Sequence, residues 1–125
     1  MNRNITISTY ENDILLFKNH TLCILEEDFL SYNTDNDNIR INLNNFSFTK
    51  ENVETILKIT ENNCAITLKE LNQSLDIPLE YINYKNDNNK NINIEYKLIS
   101  QENPLKIIIE IGDEVHELQN WNNRK

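Results

Sequence analysis

Residues 91–121, NINIEYKLISQENPLKIIIEIGDEVHELQNW, carry the strongest periodic signal in this chain and decide how the rest of it is read. Ile92, Ile94, Tyr96 and Leu98 alternate with Asn93, Glu95 and Lys97. Successive strand side chains point to opposite faces, so the pattern predicts a strand with one apolar and one wet side. Asn103-Pro104 is a turn-initiating pair. After it, Leu105, Ile107, Ile109 and Ile111 alternate with Lys106, Ile108 and Glu110. Ile108 breaks the polar side, which predicts a central strand or an apolar spot on the outer face. Gly112, the only glycine, precedes Asp113 directly after this run. The pair predicts a tight reversal at positive φ, with residues 114–120 returning as a strand. A helix capped by Asp113, with Val115, Leu118 and Trp121 on one side, is the alternative for that last piece.

Upstream, the one expected helix spans residues 49–62. Thr49 is a suitable N-cap, and Glu51 faces the positive end of the helix dipole. Val53, Ile56, Leu57 and Thr60 recur at helical spacing while Glu54, Lys58 and Glu61 stay wet. Asn62-Asn63 ends the run, since asparagine tolerates the left-handed cap geometry. Such a stripe needs a sheet face to cover it.

The other segments read as short strands. Ile5 and Ile7 form the first, and Glu11-Asn12-Asp13 turns the chain. The continuous apolar run Ile14-Leu15-Leu16-Phe17 suits a strand covered on both faces. Lys18-Asn19-His20 reads as a second turn, with residues 21–25 returning. Ile39, Ile41 and Leu43 alternate clearly, and the extra residue at Asn44-Asn45 before Phe46 and Phe48 suggests a bulge. Cys64, Ile66 and Leu68 make another strand. Pro78, within SLDIPLEYINY at residues 74–84, excludes a central strand there and predicts an edge. The expected fold is therefore one α+β domain over residues 1–125: a mainly antiparallel sheet of roughly six to eight strands with the single helix packed on one face.

Composition bounds the function more than any motif does. The formal charge is −8, which disfavours direct binding to nucleic acid or anionic membrane. Residues 1–10 contain no apolar export signal, and no run approaches the ~18 apolar residues of a membrane span. A cytoplasmic location is expected. The chain holds 24 asparagines and 18 isoleucines against one glycine and one alanine, the footprint of an AT-rich genome. Cys23 and Cys64 lie in apolar runs, where a thiol is normally inert packing.

No catalytic or cofactor pattern emerges. His20 precedes Cys23 by three residues, but a structural zinc site needs four ligands and a second pair is missing. The run from Asn33 to Asn38 alternates Asp35 and Asp37, yet lacks the glycine and glutamate of a calcium loop. Near-absence of glycine removes the usual phosphate cradle. A protein that is not an enzyme, with no cofactor and no metal, is the expectation.

Acidic residues instead gather at Glu26-Glu27-Asp28, at Asp35 and Asp37, and at Glu110, Asp113, Glu114 and Glu117, with Trp121 close to the last group. Negative charge beside an aromatic anchor is what a binder of a basic protein uses: the field speeds encounter and the aromatic holds. In size, charge and lack of motifs the chain resembles bacterial immunity proteins and phage anti-defence proteins, and no motif matches a particular family. The resemblance implies a small inhibitor of a basic toxin, nuclease or defence effector. The alternative is a non-catalytic structural or small-ligand-binding subunit. A ligand-binding protein predicts a sizeable cavity between helix and sheet; an assembly subunit predicts an apolar outer patch near Ile99 and Ile108.

Overall fold

Strand alternation prevails over helical spacing along the chain. A computed structural model describes residues 1–115, which form eleven strands and no helix. They are β1 (Asn2–Glu11), β2 (Ile14–Glu26), β3 (Phe29–Asn33), β4 (Asn38–Asn42), β5 (Ser47–Glu51) and β6 (Thr55–Thr60). β7 (Cys64–Leu68), β8 (Gln73–Ile77), β9 (Leu79–Asp87), β10 (Asn91–Leu98) and β11 (Leu105–Glu114) follow. All belong to one antiparallel sheet in the order β8-β7-β6-β5-β4-β3-β2-β1-β11-β10-β9. The first eight strands form a meander, and β11 closes back onto β1 with Ile5 opposite Ile111 and Ile7 opposite Ile109.

The sheet curls into a nearly closed barrel. Tyr84 of β9 stacks on Phe46, ring centroids 4.4 Å apart, and its hydroxyl donates to the Leu43 carbonyl at 2.9 Å. Those partners lie on the far side of the strand order, so the inner faces have met. The two edges, β8 and β9, are consecutive in sequence and joined through Pro78. Proline has no N–H to give a ladder, which suits this break in the wall. The core lies on the inner face: Ile5, Leu30, Ile41, Ile59, Ile92, Ile94 and Ile109 are at most 2% exposed, whereas edge strand β8 buries none of its residues fully. Cys23 and Cys64 join this core as free, buried thiols.

Asparagine does the work that glycine does in other sheets. Asn12 and Asp13 both have positive φ between β1 and β2, as do Asn88 and Asn89 between β9 and β10. Two consecutive positive-φ residues are the pattern of a type I′ hairpin turn, which matches the twist of its strands. Asn42 closes the next hairpin differently, its side-chain oxygen accepting from the backbone N–H of Asn44 and Asn45, each at 3.1 Å. The expected bulge at Asn44-Asn45 is therefore a turn.

Several expectations are corrected. The α+β class fails because residues 49–62 are not a helix: they are the end of β5, a turn, and β6. Asn52 makes the turn, its Oδ1 accepting from the N–H of Glu54 at 2.9 Å and of Thr55 at 2.8 Å. Val53, placed on the helical stripe, is 89% exposed at the turn tip. The segment is rich in β-branched residues, and Leu57 and Ile59 flank Lys58 at strand period. Gly112 and Asp113 do not reverse the chain but continue β11, and Gly112 has no positive φ. Its role is a close approach: a Cβ there would lie 3.2 Å from the Asn4 carbonyl oxygen, beside the register shift between Arg3 and Ile5. Lys18-Asn19-His20 is not a turn either; β2 runs through it. Ile108 sits on the outer face of a central strand opposite Ser8, half-buried.

Candidate functional site

β2 pairs with β1 along nearly its whole length, yet β3 reaches it only at Cys23–Glu26. The nine residues before Cys23 therefore have one ladder edge without a strand beside it. Their side chains are open as well: Ile14 is 66% exposed, and Leu15, Leu16, Phe17 and Leu22 about half. The predicted doubly covered strand at Ile14–Phe17 is overturned on this point. Hydrophobicity favoured burial, but β3 is too short to cover this half of β2.

Behind this edge lies a cavity of about 680 Å³ in the concave face of the sheet. Its apolar wall includes Ile7, Leu57, Tyr96, Leu105 and Ile107, and Leu16 and Phe17 stand at its rim. Across the gap the rim is the β3–β4 loop, residues 33–37. Thr34 and Asp37 fix that loop: the Thr34 N–H donates to the Asp37 carbonyl at 2.9 Å and the Asp37 N–H to Thr34 Oγ1 at 3.2 Å. Small-molecule sites are typically concave, largely apolar and of about 300–1,000 Å³.

Polar groups make up the other side of the lining: Asn19, His20 and Thr21 of β2, residues 33–37, and Lys50. Lys50 stands opposite Ile39 and Leu57 in the ladder, so register directs it to the inner face. Its Nζ lies 3.8 Å from Asp37 Oδ2, too far for a hydrogen bond. Asp37 has other donors, Asn52 Nδ2 at 3.3 Å and Thr34 Oγ1 at 3.5 Å. Tyr32, also in the lining, is 5% exposed, and burial pushes its hydroxyl pKa up, with a smaller contribution from Cys23. Desolvation likewise raises the thiols of Cys23 and Cys64, which keeps them protonated and unreactive.

Sequence reasoning passed over Lys50 because it fell in the expected first helical turn. The signal was present: Phe46, Phe48 and Lys50 continue one alternation, placing a lysine where a core residue is due.

Of the acidic residues singled out from sequence, Asp35 and Asp37 line the cavity and the other described ones lie elsewhere. Glu26, Glu27 and Asp28 form the exposed β2–β3 turn, and Glu110, Asp113 and Glu114 are exposed on β11, with β1 between the two strands. Asp113, Glu114 and the β2–β3 turn thus share the barrel end opposite the cavity rim. That end is not purely acidic: Arg40 lines a groove with Glu26 and Glu27, its guanidinium 4.2 Å from the Phe29 ring centroid. Glu110 faces Thr6, whose Oγ1 lies 3.0 Å from His20 Nδ1. Glu117 and Trp121 lie outside the described residues. Among the described residues no group of three His, Cys, Asp or Glu side chains is placed to hold a metal, and no helix is long and apolar enough to cross a membrane. Comparison with family models, curated proteins and solved structures finds no match to this chain.

Proposed function

We propose that this protein binds a small, largely apolar molecule in the concavity of its curled sheet. The observation that carries the reading is the cavity of about 680 Å³, bordered by the half-exposed Leu16 and Phe17. Barrels of this kind either fill their interior with side chains or leave room for one ligand. Here the end around Phe46 and Tyr84 is filled and the end around Leu57 and Ile107 is not. Apolar side chains at a rim lose their cost of exposure when an apolar guest covers them.

The test is titration with Nile red, a neutral apolar dye. Saturable fluorescence at one dye per chain is expected, together with a raised Tm, because a ligand that binds only the folded state stabilises it. Ile107→Trp, which fills the cavity, abolishes the signal while the chain stays folded. Absence of saturable binding, or binding unchanged in Ile107→Trp, overturns the reading.

A second reading keeps the acidic end as a surface for a basic protein, favoured by the shared placement of Asp113, Glu114 and the 26–28 turn. Such a surface predicts capture of one basic protein from host extract at low salt. The capture weakens at about 0.5 M salt, where screening shortens to a few ångström, and with charge reversal at Asp113 and Glu114. Capture indifferent to both removes this reading.

A further inference from the structure

We propose that the guest is an amphipathic anion, its acidic head held by Lys50 and its chain laid along the apolar wall. This rests on the ligand-binding reading and adds the chemistry of the ligand to it. Lys50 takes the inner-face place that Ile39 and Leu57 take on the neighbouring strands, so its alkyl stem lies in the wall. Its ammonium carries three donors, and the nearest carboxylate oxygen, on Asp37, stands 3.8 Å away. Asp37 meanwhile has the Asn52 amide and the Thr34 hydroxyl within hydrogen-bond reach. The two charges are therefore unequal: the carboxylate is supplied with neutral donors, while the Lys50 side chain, 44% exposed and held to Asp37 only by a long ion pair, keeps donor capacity to spare. An acceptor of full negative charge answers that capacity best, since charge-assisted hydrogen bonds are shorter and stronger than neutral ones.

The remaining charged or titratable groups of the lining fit this assignment. His20 is engaged with Thr6, and Asp35 is exposed on the β3–β4 loop. Among the described residues, Lys50 is the only lysine or arginine in the lining. From it the wall continues through Leu57 and Tyr96 to Ile107 and Leu105, which gives a flexible hydrocarbon chain an apolar path. A carboxylate and a phosphate or sulfate monoester share the required head chemistry.

Calorimetric titration of the full chain with decanoate and decyltrimethylammonium below their micelle concentrations, and with decanol below its solubility limit, separates the possibilities. Decanoate is expected to bind about tenfold or more tightly than decanol, the cation most weakly. Lys50→Met, which keeps the stem, brings decanoate down to decanol without weakening decanol; Lys50→Arg restores the preference. Asp37→Asn strengthens decanoate, because a competing negative charge is removed. Equal binding of decanoate and decanol, or preference for the cation, overturns the assignment to Lys50 and leaves the cavity reading standing. Failure of all three to bind the wild-type chain overturns both. Decyl phosphate in place of decanoate then distinguishes the two kinds of acidic head.

Discussion

The two halves of β2 belong to one strand and have opposite fates. At Cys23–Glu26 the strand is paired on both edges, Cys23 is 1% exposed, and Leu25 packs against the core beside Leu30. Over the preceding nine residues the strand carries five apolar side chains, yet Ile14, Leu16 and Phe17 are half-exposed or more. What differs is the neighbour. β3 has five residues against thirteen in β2, so the wall stops and the β3–β4 loop stands off across the cavity. A neighbouring strand buries only what faces inward: Ile24, paired on both edges, is still 49% exposed on the outer face, whereas inward Phe17 without that neighbour becomes a rim.

The largest test of that contrast is in the paired half. Leu30→Ala removes a fully buried side chain and is expected to destabilise the fold by about 3–4 kcal/mol, read by urea denaturation. A loss below about 1 kcal/mol would mean that this half is not the packed one.

Raising the pH is the second test. Burial holds the Tyr32 hydroxyl protonated in the folded chain, aided by Cys23, so the folded pKa exceeds the unfolded one. The resulting stability is complete below the unfolded value of about 10 and is lost as pH rises from there toward the folded value. Denaturation midpoints for Tyr32→Phe should therefore fall less steeply above about pH 10 than those of the wild type. Identical slopes would remove Tyr32 as a cause.

Tyr84→Phe leaves the stacked ring in place but takes the donor from the Leu43 carbonyl; a loss of about 1–2 kcal/mol is expected. Stability unchanged by this variant would argue against closure of the barrel through that contact. The smallest effect belongs to the rim. Phe17→Ala should cost under about 1 kcal/mol, because a half-exposed ring gives up little burial. Nile red affinity should nevertheless fall several-fold. A stability loss as large as that of Leu30→Ala would show the upper half of β2 to be covered after all.

Sequence alone disclosed the strands whose neighbours bury one face. Residues 92–98, 105–111, 39–43 and 64–68 read correctly because in each the apolar residues recur at every second position. Residues 49–62 did not, because Val53, Ile56, Leu57 and Thr60 satisfy helical spacing while Leu57, Lys58 and Ile59 satisfy strand period. The Asn52 turn decided between them, and its side-chain hydrogen bonds are not a periodic signal. Gly112 misled for a related reason: glycine marks reversals and close approaches alike, and only the position of Asn4, more than a hundred residues away in the chain, distinguishes them. The candidate site was the least legible part. It depends on β3 being short, on β11 returning to β1, and on Lys50 falling in strand register, all of which are long-range facts. The acidic residues were legible as charge, but the gathering of residues 26–28 with Asp113 and Glu114 at the opposite end from the cavity follows from topology.

The most direct test of the central claim is a two-dimensional amide NMR titration of the chain with decanoate. Saturable shifts are expected, confined to residues 14–21, the loop at 33–37, Lys50, Leu57, Tyr96 and the facing part of β11 from Leu105 to Ile107, with Glu26, Glu27 and Asp28 unmoved. Shifts centred on the acidic turn, or none at concentrations that saturate a cavity site, would contradict that claim.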